Sequence, residues 1–444
     1  METGRCFNTS APLDPDAEKV ESNPMNKLHR RTFLQSSLAA GSALAYGPGL
    51  FSKAWADEAP PAKLPVAGIV TEYRENSHAD VILGKILEGF AQDGGAGPAL
   101  KLVSLYTDQV PESDLSRALA EKHGFRIAGS IEEALTLGTA DLAVAGVLSI
   151  GEHGNYPETP DTHQVTYPRR RFFDESVAVF RRCGKTVPFF NDKHLSYRWE
   201  DARHMFDTAR ELGFPLMAGS SAPVTWRAPA LELPLGCEIR EALVLGYGPT
   251  EHYGFHALEA LQCMVERRGA GETGVASVEV VQGKAIWEAE KAGRWSRQLL
   301  DATLAAVPVY RQGKVEELLN ESAAFFLVEY RDGLRATVAM ADGATADFAF
   351  AATLKGEEQP RVTWFRFEED KPFRHFALLL KAIEHMLHSG QPPYPVERTL
   401  LTTGILDAAM HSIAAGQARI ETPQLSVQYT PVEWPFAAGD PPQI

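Results

Sequence analysis

Cysteine is scarce. Four thiols, Cys6, Cys183, Cys237 and Cys263, are scattered over 444 residues with no CxxC among them. That excludes a disulfide framework. Long apolar runs are missing as well. None reaches the roughly 20 residues of a membrane-spanning helix, so no integral span is expected in the mature chain. Positive charge is in deficit: 43 Lys and Arg face 58 Asp and Glu, a net charge of −15. That balance argues against sequence-independent binding to a phosphate backbone, so no nucleic-acid partner is expected. A GxSxG elbow is absent, which disfavours a serine hydrolase. There are no internal repeats. What remains, 44% apolar and 23% charged residues, is the profile of a folded globular protein of up to two domains.

The N-terminus reads as an address. Lys27, His29, Arg30 and Arg31 form a basic start, Ser36 to Tyr46 a modest apolar stretch, and Ala54-Trp55-Ala56 a small-x-small cleavage site. The string Arg30-Arg31-Thr32-Phe33-Leu34-Gln35 resembles a twin-arginine signal, which implies export to the periplasm or beyond. Met25 lies just upstream, so residues 1–24 fit a mis-assigned start. The expected organisation is an export signal over 1–56, a linker over 57–63, one domain over 64–222, a second over 223–430 and a tail over 431–444.

In the first domain short apolar runs alternate with amphipathic helices. Strands are expected at 64–70, 100–106, 142–150, 186–191 and 215–220, with helices between them. That order implies a Rossmann-like, doubly wound parallel sheet. Ser113 and Ser196 are placed to cap helices, and Ser130-x-x-Glu133 is a capping box. Arg169-Arg170-Arg171 reads as a solvated helix start. The second domain opens with a strand at 238–245 and a helix at 254–268. A strand at 275–281 and one helix over 286–304 follow, then four apolar runs between 323 and 367. Asp332-Gly333 and Asp342-Gly343 separate the first three runs as hairpin turns. A largely antiparallel sheet with helices on one face is expected, closed by helices at 373–389 and 396–416.

Three strings, in this order, resemble the Gfo/Idh/MocA family (glucose–fructose oxidoreductase, inositol dehydrogenase and relatives) over about residues 64–430. Asn191-Asp192-Lys193-His194 stands where that family has Glu-Lys-Pro after a strand. His252-Tyr253-Gly254-Phe255-His256 stands where it often has Asp-x-Gly-x-His opening a helix. The stretches 379–390, 392–397 and 400–416 resemble its closing helix pair. The resemblance implies an NAD- or NADP-dependent oxidoreductase acting on a sugar or polyol, with Lys193 and His256 moving the proton of a hydroxyl. His252 replaces the family's aspartate and His194 its proline.

The first βα turn departs from that pattern. It reads Thr71-Glu72-Tyr73-Arg74-Glu75-Asn76-Ser77-His78, with no glycine between Gly68 and Gly84. A dinucleotide here would rely on side chains: Thr71, Arg74 and His78 at the turn, Asp108 for the adenosine ribose, and His153 and Asp192 nearer the reacting end. Loops at the carboxyl ends of parallel strands converge on one crevice. Three such loops carry a histidine beside or near a carboxylate. Glu152, His153, Asp192, His194, His252 and His256 are therefore also the available ligands for a divalent metal. The alternatives to an oxidoreductase are a metal-dependent lyase, hydrolase or epimerase, and a non-catalytic carbohydrate-binding protein. Trp226 suits either a sugar platform or a domain interface. A homo-oligomer is left open.

Overall fold

A computed structural model describes residues 62–368 and 370–439. The export segment expected over 27–56 lies outside the described residues.

Six strands form the first sheet: β1 (Leu64–Val70), β2 (Leu100–Thr107), β3 (Arg126–Ala128), β4 (Gly146–Ile150), β5 (Phe189–Asp192) and β6 (Leu216–Gly219). Their order is β3-β2-β1-β4-β5-β6 and every pairing is parallel. The helices between them are α1 (His78–Glu88), α2 (Ser116–His123), α3 (Ile131–Thr136), α4 (Arg169–Cys183) and α5 (Trp199–Leu212). The chain reverses direction across the sheet between β1 and β4, so the carboxyl ends of these strands frame a crevice. Half of the expected capping box forms: the Ser130 side chain accepts from the Glu133 amide, while the Glu133 carboxylate accepts from Gly129 N at 2.7 Å, one residue before the cap. Ser196 does not cap α5. The Trp199 amide instead donates to Asp407 at 3.0 Å, a cap supplied from 208 residues further along the chain.

The second sheet contains β7 (Trp226–Ala228), β8 (Ile239–Gly246), β9 (Val275–Gln282), β10 (Ala324–Tyr330), β11 (Arg335–Met340), β12 (Phe348–Leu354), β13 (Arg361–Arg366) and β14 (Ile420–Glu421). Its order is β14-β9-β10-β11-β8-β12-β13-β7. All pairings are antiparallel except β11 with β8. The Asp332-Gly333 hairpin forms between β10 and β11. The one expected at Asp342-Gly343 does not, because β8 lies between β11 and β12 and pairs with both.

Helices α6 (Thr250–Val265), α7 (Lys284–Lys291), α8 (Arg297–Ala306), α9 (Val315–Leu318), α10 (Arg374–Ser389) and α11 (Glu397–Ala414) complete the chain. The helix expected over 286–304 is two helices. Gly293, at φ +68°, breaks it, and the Ser296 side chain restarts it by accepting from Leu299 N. Alternation along β8 distributes the core. Val244 packs with Phe255 and Leu258 of α6 and Leu401 of α11. Leu243 and Leu245 pack on the other face with Leu299 and Leu300 of α8. Helix α10 returns to the first sheet, where Leu380, Ile383 and Leu387 join Val66, Ile82 and Leu148. Its first turn thereby reaches the crevice.

Candidate active site

A cavity of about 540 Å³ opens where the parallel sheet, α6 and the start of α10 meet. The first turn of α1 contributes His78, the loop after β4 Glu152 and His153, and the residue after β5 Lys193. The second domain contributes Tyr247, His252 and His256, and the start of α10 adds His375 and Phe376. Lys193 and His256 therefore share one cavity, and His252 and His153 lie on it too. His194 does not line it. It is buried behind, its ring bonded to the Ser196 carbonyl at 2.7 Å and to Arg169 at 3.2 Å. Asp192 is likewise 1% exposed and holds His78 Nδ1 at 2.6 Å, which fixes that ring at the first turn of α1.

Lys193 leaves β5 at φ +59°, a left-handed backbone that costs a lysine of order 1 kcal/mol. Backbone hydrogen bonds in both directions between Lys193 and Gly219 hold it there. Its Nζ donates to Glu152 Oε1 at 2.7 Å, and Arg169 donates to Glu152 Oε2 at 2.6 Å. All three side chains are at most 6% exposed. Burial pushes the Glu152 carboxyl up, but Lys193 and Arg169 outweigh burial and hold it well below the usual carboxylate range. Arg169 corrects the reading of a solvated arginine run. It is completely buried, while Arg170 pairs with Asp174 and Asp201, and Arg171 with Asp108. The signal was in the helix phase: Arg169, Phe172, Phe173 and Ser176 share one face.

The imidazoles divide into two kinds. Burial, then Lys193 and His78, hold His256 well below its ordinary value. Burial, then His78, takes His153 and His375 each to about 3. His252 goes the other way, raised by its bond to Glu251 at 2.9 Å. Two ring nitrogens, His153 Nε2 and His256 Nδ1, are buried without a partner. Of the cavity's residues, sequence reasoning did not single out Tyr167, His375, Phe348, Phe367 or Phe376. Trp226 is not among those lining it and belongs to the edge strand β7, paired with Arg366.

Of the expected cofactor residues His78 and His153 line the cavity; Thr71, Arg74, Asp108 and Asp192 do not. Thr71 is fully buried and donates to the Glu152 carbonyl at 2.6 Å. Arg74 is engaged by Glu72 at 2.6 Å. Asp108 accepts from Tyr106, Tyr156 and Arg171. Among the described residues no group of three or more His, Cys, Asp or Glu is arranged to hold a metal ion. No helix among them is long and apolar enough to cross a membrane.

No protein-family model and no curated protein matches the chain. Solved structures do. The crystal structure of GenD2 from gentamicin A biosynthesis in complex with NAD is 14% identical, with a TM-score of 0.53 over 82% of this chain and 97% of that one. A probable dehydrogenase from Thermotoga maritima is 13% identical, with a TM-score of 0.50 over 82% and 100%. A putative myo-inositol dehydrogenase from Sinorhizobium meliloti is 14% identical, with a TM-score of 0.49 over 80% and 99%. The first two share the fold of this chain, a Rossmann-like parallel sheet joined to a mostly antiparallel one.

Proposed function

We propose that this chain is an enzyme that acts on a sugar or polyol by moving a hydroxyl proton, on a scaffold shared with nicotinamide-dependent oxidoreductases. The observation that carries the reading is the buried Lys193–Glu152–Arg169 chain on the same cavity as a neutral His256. A cavity of about 540 Å³ is of the size that takes a small molecule. Its aromatic walls, among them Tyr247, Phe348 and Phe376, offer apolar faces to the C–H side of a sugar ring.

The chemistry follows from the charges. The Lys193 ammonium donates to a substrate oxygen and stabilises negative charge as it develops there. Glu152 fixes the direction of that ammonium, and Arg169 keeps Glu152 ionised. His256 is neutral and lines the cavity, and it takes the proton. His252, drawn toward its charged form by Glu251, orients a second hydroxyl.

The shared fold and the resemblance of the Lys193 and His256 strings support an oxidoreductase, with NAD or NADP as the group the fold implies. The turn after β1 does not fit a dinucleotide in the ordinary pose, because its polar groups are already bonded to the protein. That observation favours a second reading on the same proton relay: a redox-neutral lyase, hydrolase or epimerase. Export through residues 27–56 to the periplasm or beyond is part of the proposal, supported by the sequence pattern.

The test is turnover of a panel of sugars and polyols by the purified chain, followed by NMR so that oxidised and redox-neutral products are both seen. Lys193→Met and His256→Asn should each abolish most of the conversion found. Binding without conversion by the unaltered chain would leave a carbohydrate-binding protein instead.

A further inference from the structure

We infer that this chain takes up neither NAD nor NADP across its parallel sheet, because the place such a cofactor occupies has become a structural joint. The inference rests on the proton-transfer reading above and decides which of its two chemistries the cavity performs. In an open parallel sheet a dinucleotide crosses the carboxyl ends of the first strands. Its pyrophosphate lies on the amides opening the first helix, and its adenosine ribose on an acidic residue after the second strand. The chain's own groups occupy the first and third of those places and part of the second.

At the turn, the backbone continues the sheet instead of opening. Thr71 N donates to Ile150 O at 3.2 Å, on the β4 side. On the β2 side Asp108 N donates to Val70 O at 2.9 Å and Gln109 N to Thr71 O at 2.7 Å. Leu115 N reaches Tyr73 O at 2.8 Å. The Tyr73 side chain, wholly buried, joins the core of the first sheet together with Val70, Ile82 and Leu105. A pyrophosphate needs a glycine backbone and open space at this point. It meets a tyrosine and a closed hydrogen-bond ladder.

At the helix start, the Asp80 amide and two amides of the turn before it are taken. Ser77 Oγ accepts from Arg74 N and Asp80 N, and Asp80 Oδ2 accepts from Asn76 N at 2.9 Å. The negative charge that a helix N-terminus attracts is thus supplied by Asp80, with Glu72 close by on the same turn and satisfied by Arg74. At the ribose end, both Asp108 oxygens are used, by Tyr106, Tyr156 and Arg171.

The loop after β4 then closes over the top. Gln109 donates to Asn155 O at 2.9 Å and accepts from Asn155 N at 2.8 Å, a two-way clasp across 46 residues. Gly154, at φ +99°, lies so close that a Cβ there would stand 2.8 Å from the Tyr156 ring and 3.1 Å from Gln109 Oε1. The closure stops short of the cavity, where His153 and Lys193 remain accessible to a substrate.

The experiment titrates the full chain, freed of bound small molecules, with NAD, NADH, NADP and NADPH to about 1 mM, the weak end of enzyme–ligand affinities. Calorimetry and thermal melting are read in parallel. The expected result is no saturable heat and no rise in Tm for any of the four. Asp108→Asn and Gln109→Ala should each lower Tm by about 2–4 °C, as removal of a structural bond does, and neither should create nucleotide binding. Saturable binding of any of the four, with a rise in Tm, overturns the inference. So does an unchanged Tm in both variants, since the joint would then hold nothing together. Neither outcome touches the proton relay, which falls only if Lys193→Met turns over as the unaltered chain does.

Discussion

Lys193 reaches Glu152 at 2.7 Å from a backbone held at φ +59°, while Arg169 holds the other oxygen of the same carboxylate. The lysine is therefore both a proton donor facing the cavity and half of a buried ion pair. Lys193→Met should lower the rate by about 10²–10⁴-fold, the usual contribution of a positioned proton-transfer group. It should also destabilise the fold by about 1–3 kcal/mol, since Glu152 Oε1 loses its partner. Adding Glu152→Gln should recover none of the rate and should lower the stability further, because the buried Arg169 then loses its counter-charge. Urea melts and turnover on the same samples separate the two effects. Recovery of rate in the double variant would remove Lys193 from the chemistry.

His256 should act as a base that is already neutral. Burial and the neighbouring Lys193 and His78 hold its pKa well below 6.5, so no titration of His256 should show in the rate as pH falls from 8 through 6.5, and any change in that window belongs to His252, whose pKa Glu251 raises. His256→Asn should reduce the rate about 10²–10⁴-fold while keeping the shape of the pH profile above pH 6.5. A titration near 6.5 in the unaltered chain that vanishes in His256→Asn would show an imidazole in ordinary solvent contact instead.

The two-sheet architecture was legible because its signals are local: alternating apolar runs for the parallel domain, and a glycine turn for the β10–β11 hairpin. Gly293, which splits the helix expected over 286–304, and the buried phase of Arg169 were local signals read wrongly, but the other failures depended on partners distant in the chain. Ser196 looked like a cap for α5, but Asp407 does the capping. Asp342-Gly343 looked like a hairpin, but β8 intervenes with a parallel pairing that no local string encodes. The site divides the same way. Lys193 and His256 were found by their strings. His375 and Phe376 reach the cavity only because α10 packs back on the first sheet, and helix periodicity says nothing of that return. The absence of glycine after β1 was visible, whereas the clasp between Gln109 and Asn155 that closes the space was not.

The export segment makes its own forecast. Exchanging Arg30 and Arg31 for lysine should block export while leaving the folded part unchanged, because a twin-arginine pathway reads that pair. Fractionation of expressing cells checks it. N-terminal sequencing of exported protein should show a start after Ala56. Retention of Met1 or Met25 would end the cleavage reading, and unchanged export of the lysine pair the twin-arginine one.

The cavity imidazoles should make the fold sensitive to mild acid. His375 is 7% exposed, and burial, then His78 and Lys85, depress its pKa to about 3. An unfolded chain binds a proton at this residue below about pH 6.5, whereas the folded chain does not until the pH nears 3. Its contribution is therefore complete above pH 6.5 and is lost progressively as the pH falls toward 3. Between pH 6.5 and 5 the loss is about 2 kcal/mol, at 1.36 kcal/mol per unit. His375→Leu removes the titration. It also removes the acceptor for the Glu368 amide, so the variant starts less stable at pH 7. The discriminating quantity is the difference between pH 7 and pH 5. Urea melts should show the unaltered chain losing about 2 kcal/mol more than His375→Leu over that range. Equal losses would mean that His375 protonates freely in the folded chain, and that the wall of the cavity at the start of α10 is open to water.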